Sequence, residues 1–323
     1  MSKTLPTLET FAPEHSGSAL GSVIAAIGDA SVTIASQVRL AGLAEVLGVT
    51  GDVNVQGEEV QKLDILSNDA IISALDKTPA CAGYASEELE QPVYFDHAGA
   101  EYVVVCDPLD GSSNIDVDVS IGTIFAVLRA SDPVEDSFSQ AGRRIAAAGY
   151  VVYGPSTVLI FSTGDGAHGF TLNPESGRFH LSHEDIRVPS QGKTYSINEG
   201  NSGTWDDGVK SWAAHVKESD KASGRPYSLR YVGSLVADAH RTLLKGGIFA
   251  YPADTKSPEG KLRLVYEANP MAYVFEAAGG AAINGAKSIL DIQPEKLHQR
   301  TPLVIGSAED VETFRAFATG ERS

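Results

Sequence analysis

The sequence is short of positive charge. Its 323 residues include 25 Lys and Arg against 42 Asp and Glu, which gives a formal net charge of −17 at pH 7. Nucleic-acid phosphates are bound by clustered Lys and Arg, so this shortage argues against DNA or RNA as a partner. A small phosphate ester would be repelled too, because like charges about 4 Å apart cost roughly 4 kcal/mol at an effective dielectric constant near 20. An acidic cluster could therefore hold a phosphate only if divalent cations lay between them.

Cysteines and long apolar runs are also scarce. The two cysteines, Cys81 and Cys106, lie at the ends of separate strand-like runs, and we expect them to pack in the core rather than form a disulfide. No apolar run approaches a membrane-spanning length, and the N-terminus has no basic region followed by a hydrophobic segment. These features predict a cytoplasmic protein without a membrane partner.

What is present is an ordinary globular composition, with 42% hydrophobic and 21% charged residues. Predicted strands and helices alternate along the chain, which indicates an α/β or layered αβ architecture. Residues before Ser16 lack periodicity and are predicted to form a mobile arm, and residues 137–148 are predicted to form a helix. The pattern of strands and helices is interrupted at residues 188–192, Val-Pro-Ser-Gln-Gly, which suggests that the chain divides into two halves, residues 1–190 and 191–323.

The most informative stretch is Tyr102–Val119. Residues 102–106 read as a buried strand, which Pro108 is predicted to end. Asp107 and Asp110 would then leave the strand tip within one turn and could hold a hard cation between them. The Gly-Ser-Ser that follows offers backbone N–H groups that could bind a phosphate. A plain surface turn is the alternative, since Asp, Pro, Gly and Ser are common turn residues.

Further carboxylates stand at other predicted strand ends. Glu87 and Glu88 follow a short strand ending at Ser86, and Glu267 ends a predicted strand over residues 261–266. On its own a Glu-Glu pair is usually surface charge. Beside Asp107 and Asp110 it becomes a candidate for completing a metal site.

Two other patterns do not support a function. Residues 164–169 match Gly-x-Gly-x-x-Gly, but a dinucleotide loop must open a helix, whereas a hairpin is predicted here. His180 and His183 have no third metal ligand near them in the sequence, so we interpret them as exposed hairpin residues.

The stretch Asp107–Asp116 resembles the signature of class I fructose-1,6-bisphosphatase, a family of the metal-dependent, lithium-sensitive sugar phosphatases. The similarity covers nearly the whole chain, from Val38 to Val311. Further matching segments are residues 62–69, 86–88, 198–200, 230–234 and 261–267. The resemblance implies an α/β fold, a layered α/β/α/β/α sandwich of the sugar phosphatase type, usually assembled as a homotetramer.

The resemblance also implies a role for individual residues. The implied metal ligands, for two or more Mg²⁺ ions per subunit with Mn²⁺ as the alternative, are Glu87, Asp107, the Leu109 carbonyl, Asp110 and Glu267. Asp64 and Glu88 would polarise the attacking water. The 1-phosphate would be held by Asp110, Gly111, Ser112 and Ser113. The 6-phosphate would be held by Asn198, Tyr231, Tyr251 and Lys261, with Arg230 reaching across from a neighbouring subunit.

The implied reaction is hydrolysis of the 1-phosphate of D-fructose 1,6-bisphosphate, in gluconeogenesis or the Calvin cycle. The alternatives are a sedoheptulose-1,7-bisphosphatase or dual-specificity bisphosphatase, and a sugar-phosphate binding module that has lost catalysis. Sedoheptulose-1,7-bisphosphatases depart from the pattern after Asp-Gly-Ser-Ser and lack the Asn-Glu-Gly element. This sequence has Asn114 and Asn198-Glu199-Gly200, which favours fructose bisphosphate as the substrate. The complete set of carboxylates argues against the inactive module.

Three positions depart from the family pattern. Glu58 stands where many members have an auxiliary Asp ligand, and Asn201 replaces a Tyr that would contact the 6-phosphate. Glu101 stands where the AMP-inhibited animal enzymes have a Lys. A carboxylate there should repel a nucleotide phosphate, so weak or absent AMP inhibition is expected.

Overall fold

Seven α-helices and two large β-sheets make up most of the described chain. The computed structural model describes residues 5–41, 43, 49–53 and 59–322. Its helices are α1 (Leu8–Ser16), α2 (Ser18–Val38), α3 (Lys62–Leu75), α4 (Asp207–Lys217), α5 (Leu235–Lys245), α6 (Asn269–Ala277) and α7 (Ala308–Ala318). Its strands are β1 (Val49–Val53), β2 (Glu59–Gln61), β3 (Cys81–Ser86), β4 (Val93–Tyr94), β5 (Tyr102–Asp110), β6 (Ile121–Arg129), β7 (Ile145–Tyr153), β8 (Thr157–Ser162), β9 (Ala167–Asn173), β10 (Arg178–Ile186), β11 (Thr194–Ser196), β12 (Ser228–Leu229), β13 (Ile248–Tyr251), β14 (Leu262–Arg263), β15 (Ala281–Ile283), β16 (Arg300–Thr301) and β17 (Leu303–Gly306).

The larger sheet has eight strands in the order β10-β9-β8-β7-β6-β5-β3-β4. Strands β5 to β10 form an antiparallel run, whereas β3 is parallel to β5. The smaller sheet has five strands in the order β12-β11-β13-β17-β15, and in it β11 is parallel to both of its neighbours. The remaining pairs, β1 with β2 and β14 with β16, are short two-stranded ladders.

Three hydrophobic clusters separate these sheets and helices into layers. Helices α1, α2 and α3 cover one face of the larger sheet. Helices α5 and α6 lie between the two sheets, and α4 and α7 cover the outer face of the smaller sheet. The layer order is therefore α/β/α/β/α, which confirms the predicted fold class.

Strand β5 shows why both faces of the larger sheet are apolar. Its successive side chains point to opposite faces. Val103 and Val105 belong to the core between the sheets, while Val104 and Cys106 belong to the core under α1–α3. A strand buried on both faces reads as a continuous apolar run, which is why residues 102–106 are recognisable from the sequence alone.

Two sequence-based predictions about the N-terminal half are wrong. The expected mobile arm contains α1, whose Leu8 and Ala12 are buried in the core with α2. The expected helix over residues 137–148 is two short 3₁₀ turns followed by β7. An Ala-rich apolar run fits a buried strand as well as a helix, and here pairing with β6 and β8 decides the outcome.

The hairpin prediction is confirmed. The glycine-rich residues 164–169 lead into β9, which pairs antiparallel with β10 rather than opening a helix. His183 is exposed on β10, and His180 is partly buried there.

Helix α2 contains a longer apolar stretch than the sequence was expected to have. It is the one helix in the described ranges that is long and apolar enough to cross a bilayer, with a mean hydropathy of 1.5 over its best window. Of that window, 61% is buried within the protein. Ile24, Ile27 and Ile34 pack in the core under the larger sheet, so its apolar character is accounted for by packing within the fold.

Candidate active site

The end of β5 differs from its prediction in a way that shapes the site. The strand continues through Pro108 to Asp110, and its pairing with β6 shifts register between Asp107 and Asp110. A proline inside a strand is typical of such a bulge, because the missing N–H costs no ladder hydrogen bond there. The Leu109 amide donates to Asp107 Oδ1 (3.0 Å), and the Thr123 hydroxyl donates to the Pro108 carbonyl (2.8 Å). The bulge brings both aspartates to one cavity.

That cavity has a volume of about 510 Å³ and is predominantly acidic. Six carboxyl groups and one guanidinium line it among the described residues. The lining residues are Gln61, Asp64, Glu87, Glu88, Asp107, Leu109, Asp110, Gly111, Ser112, Ser113, Arg263 and Glu267. The set contains every residue to which the sequence analysis assigns a role in metal binding, water activation or 1-phosphate binding.

Three of these carboxylates form a tight cluster. Glu87, Asp107 and Glu267 are 7%, 5% and 4% exposed, and each offers a ligand oxygen within 4.8 Å of the others. Glu87 and Asp107 meet because β3 pairs parallel with β5, with Ser86 opposite Cys106, so the residue that follows each of these two lies beside the other. Glu267 arrives from a different part of the chain.

Glu267 was predicted to lie at a strand end, and this prediction is wrong. Strand β14 is only Leu262–Arg263, and Leu264–Ala268 form a π-helical turn that leads into α6. The Glu267 carboxylate accepts a hydrogen bond from the Arg263 amide at the beginning of this turn. Single π-helical turns are frequent at functional sites, and this one directs Glu267 toward the cluster.

Burial and mutual repulsion dominate the electrostatics of the cluster. Burial, then Glu87 and Glu267, raise the pKa of Asp107 well above its usual value. Burial and Glu87 likewise raise the pKa of Glu267, although Arg263 opposes the shift. Burial raises the pKa of Asp110 to about 6, against a hydrogen bond that its Oδ2 accepts from the Val236 amide at the start of α5 (3.0 Å). Arg263 alone does not balance the six carboxyl groups of this cavity, so their ionised forms would be stabilised by additional positive charge.

Arg263 lines the first cavity without having been predicted as a site residue. It is 6% exposed, and its Nη2 contacts Glu87 Oε1 at 2.9 Å. A cation two positions after Lys261, and so on the same side of a strand, is a usable signal in the sequence. Gln61, at the beginning of α3, is also a lining residue that was not predicted.

Asp64 and Glu88 reach the same cavity from separate elements. Asp64 lies in the first turn of α3, and its Oδ2 accepts a hydrogen bond from the Gln61 amide (2.8 Å). Glu88 follows β3, and its amide donates to Ser86 Oγ (3.2 Å). Asp64 is buried and Glu88 is partly exposed. Both carboxylates therefore line the cavity beside the cluster of Glu87, Asp107 and Glu267 without belonging to that cluster.

A second, smaller cavity contains the residues expected to bind the 6-phosphate. It is lined by Ile197, Asn198, Asn201, Trp205, Tyr231, Ala250, Tyr251, Pro252, Asp254 and Lys261. The hydroxyls of Tyr231 and Tyr251 are 3.3 Å apart, and burial, with Tyr231 nearby, raises the pKa of Tyr251. Trp205, predicted to pack, is buried in the core and also borders this cavity.

Arg230 is the exception among the predicted site residues. It is exposed, and its Nη1 donates to the Leu229 carbonyl (2.8 Å). Asp254, in contrast, borders the second cavity without having been predicted.

The two cavities share structural elements. Lys261 borders the second cavity and Arg263 the first, so three consecutive residues supply a cation to each. The segment Arg230–Ser234 likewise passes from Tyr231 at the second cavity to Ser234 beside Gly111 at the first. A carboxylate-lined cavity coupled to a cavity with Lys and Tyr, within this layered fold, defines the metal-dependent sugar phosphatase class.

Comparison with known proteins gives the particular family. Residues 7–184 match the family model "Fructose-1-6-bisphosphatase, N-terminal domain", and residues 188–319 match its C-terminal domain. The chain belongs to the class 1 fructose-1,6-bisphosphatase family. The proposed division near residue 190 stays a prediction, because the core between the sheets contains residues of both halves.

Similar proteins cover almost the entire chain. The class 1 fructose-1,6-bisphosphatase of Sorangium cellulosum is 55% identical over 98% of this chain and 94% of its own length. That of Chlorobium chlorochromatii is 50% identical over 97% and 96%. The crystal structure of Leishmania major fructose-1,6-bisphosphatase in holo form has a TM-score of 0.93 at 39% identity, covering 99% of this chain and all of that one; the apo form gives 0.87 at 38% identity.

The departures from the family pattern have different outcomes. Glu58 lies outside the described residues. Asn201 borders the second cavity in place of the usual Tyr. Glu101 is 3.8 Å from Arg129 in an exposed ion pair.

We expect AMP to inhibit this protein weakly or not at all. Glu101 places a carboxylate where the AMP-inhibited animal enzymes have a cation, and its pairing with Arg129 further reduces the positive charge available to a nucleotide phosphate. The expected inhibition constant is about 1 mM or higher. Glu101→Gln, which removes the charge alone, is the matched variant for titration with AMP. A micromolar constant for the unmodified protein would contradict the expectation.

Proposed function

We propose that this protein hydrolyses the 1-phosphate of D-fructose 1,6-bisphosphate, releasing fructose 6-phosphate and phosphate. The observation that carries the proposal is the pairing of two unlike cavities. One offers six carboxyl groups for cations and a reacting phosphate, and the other offers Lys261 with two tyrosines for a phosphate that does not react. A substrate with two phosphates on one sugar satisfies both.

The donor set fits Mg²⁺ or Mn²⁺. Glu87, Asp107 and Glu267 provide hard oxygen ligands close enough to share a small divalent cation, and Asp110 and the Leu109 carbonyl lie in the same cavity. Two or more ions per subunit would balance the repulsion that raises the pKa values of Asp107 and Glu267. Bound divalent cations supply Lewis-acid activation of water and charge compensation at the phosphoryl oxygens.

The chain's own residues would perform the remaining steps. Asp64 and Glu88, placed at the cavity wall, would polarise the attacking water, and one of them would take its proton. Gly111 has a φ of 79°, a backbone conformation that favours glycine, and turns the chain from β5 into a short 3₁₀ helix. The amides of Ser112 and Ser113 at the beginning of that helix have no intrahelical acceptor and can donate to the 1-phosphate. Arg263 adds a guanidinium that can contact phosphate oxygens.

The second cavity would fix the far end of the substrate. Lys261, Tyr231, Tyr251 and Asn198 can donate hydrogen bonds to the 6-phosphate, and this binding orients the 1-phosphate for in-line attack. Arg230, exposed on its own subunit, is suited to reach the 6-phosphate site of a neighbouring subunit, as in the homotetramer that the family resemblance implies. We also propose a cytoplasmic location, with which two free, buried cysteines agree.

Phosphate release from purified protein tests the function. With Mg²⁺, fructose 1,6-bisphosphate should be hydrolysed at a rate typical of enzymes, about 1–10³ per second, and a chelator should abolish release until Mg²⁺ is restored. Sedoheptulose 1,7-bisphosphate, assayed in parallel, should be hydrolysed less efficiently. Release that persists in the chelator would contradict the metal mechanism, and a preference for sedoheptulose bisphosphate would contradict the substrate assignment.

A further inference from the structure

Asp238 is a completely buried carboxylate that lies outside both cavities. It belongs to α5, has a relative exposure of 0%, and accepts hydrogen bonds from four residues. Ser196 Oγ donates to its Oδ1 (2.9 Å), and the amides of Val232 and Gly233 donate to its Oδ2 (3.0 Å each). Arg241 Nη1 completes the set at 3.1 Å from Oδ1.

Two of these bonds come from one segment, residues Arg230–Ser234, between β12 and α5. Asp238 binds two successive amides of the segment, and Arg241 Nη2 donates to its Arg230 carbonyl (3.0 Å). The segment has little regular structure of its own. Its conformation therefore depends on a carboxylate and a guanidinium that α5 supplies one turn apart.

The same segment borders the second cavity and packs against Gly111 in the wall of the first. Tyr231 borders the second cavity, with its hydroxyl 3.3 Å from that of Tyr251. At the other end, Asn114 Nδ2 donates to the Gly233 carbonyl (3.4 Å). Ser234 Oγ is 3.5 Å from the point that a Cβ on Gly111 would occupy. A shift of this segment would alter the relative placement of the groups that bind the two phosphates.

We propose that Asp238 is a positioning residue that holds Arg230–Ser234 in the conformation that lets one substrate bind both cavities at once. The inference rests on the proposed function. A carboxylate is required because both of its oxygens only accept, whereas the amide of Asn would turn a donor toward the Val232 and Gly233 N–H groups or toward Arg241. Asp238 contacts no substrate; it acts through Tyr231 and the Gly233–Ser234 end of the segment.

The test compares two substrates in Asp238→Asn, a variant of nearly the same shape. Fructose 1,6-bisphosphate uses both cavities, whereas fructose 1-phosphate uses only the first. In the wild type the 6-phosphate should raise kcat/KM, and Asp238→Asn should reduce this advantage by about 10-fold or more, mainly through KM for the bisphosphate. Lys261→Ala should reduce it as well, and adding Asp238→Asn to Lys261→Ala should have little further effect.

Two further variants separate positioning from loss of stability. Asp310→Asn is the matched control, because Asp310 is also buried and accepts from the Gly192 amide (2.8 Å) and the Tyr227 hydroxyl (2.7 Å), outside both cavities. It should lower the melting temperature but leave the substrate ratio unchanged. Arg241→Gln, at a partly exposed position, should reduce the ratio about 3-fold and serves if Asp238→Asn does not fold.

The outcomes are distinguishable. If the wild type hydrolyses neither substrate, the proposed function fails. If the wild type hydrolyses the bisphosphate and the ratio is unchanged in Asp238→Asn and Arg241→Gln, the positioning role alone is overturned. An equal fall for both substrates, matched by Asp310→Asn, would also overturn it, since that result indicates general destabilisation.

Discussion

Asp107→Asn should abolish phosphate release and at the same time raise the melting temperature of the metal-free protein. Asp107 shares the cluster of ligand oxygens with Glu87 and Glu267. Removing its charge removes a metal ligand, and the loss should lower kcat by about 10³-fold or more, since metal activation supplies several kcal/mol of transition-state stabilisation.

The gain in stability has the same origin. Without metal, like charges within 4.8 Å of one another repel by roughly 3–4 kcal/mol or more at an effective dielectric constant near 20, and burial adds a desolvation cost that raises the Asp107 pKa. Asn is close in shape and carries no charge, so the metal-free variant should melt a few degrees higher, at about 1.5 °C per kcal/mol for a chain of this length. Such trade-offs are common where a site is built for function.

Asp136→Asn, at an exposed position on the surface, is the matched control and should change neither activity nor stability appreciably. Activity and thermal melting in chelator should be measured on the same preparations. A variant that keeps a tenth or more of wild-type activity, or that melts lower than the wild type without metal, would contradict the account of the cluster.

The stability of the metal-free protein should fall as pH rises through the range where these carboxyls ionise. For Asp110 the pKa is about 6 in the folded protein and 3.8 as the reference for the unfolded chain. Below pH 3.8 both states are protonated, so the group makes no difference. Between the two values the folded state keeps a proton that the unfolded state has lost, and stability decreases as pH rises. Above about pH 6 the full cost, roughly 3 kcal/mol, is present.

Divalent metal should reverse this trend. Binding requires ionised carboxylates, so protons compete with it at low pH, and the rise in melting temperature caused by Mg²⁺ should be larger near pH 8 than near pH 5. Melting curves with and without Mg²⁺, for the wild type and Asp110→Asn, separate this effect from other titrations of the protein. The prediction fails if the difference in stability between these two proteins without metal does not change with pH.

Several parts of the site follow from local sequence. The apolar runs before Glu87 and Asp107 correctly identify two strands and the carboxylates that follow the runs, and the parallel pairing of β3 and β5 brings these carboxylates together. The effect of Pro108 on the strand could not be predicted in the same way. It is predicted to end the strand, but a bulge accommodates it and β5 continues to Asp110.

Other parts could not be predicted locally. The residues of β7 satisfy helix and strand patterns equally, and only their neighbours in the sheet decide between the two. Arg263 belongs to a recognised motif, but its contact with Glu87 depends on the packing of β14 against a distant strand end. The π-helical turn that carries Glu267 has no counterpart in the hydrophobic pattern.

The alternation of strands and helices, the carboxylates that follow apolar runs and the motifs of the family can all be read from the amino-acid sequence, because each depends only on residues close together in the chain. Only the packed fold shows that six carboxyl groups and Arg263 share one cavity, that the segment Lys261–Arg263 supplies a cation to each of two cavities, and that Asp238 holds the segment Arg230–Ser234 between them. The physical reason is that burial and repulsion among charges depend on distances between residues far apart in the chain, and those distances exist only after the layers have packed.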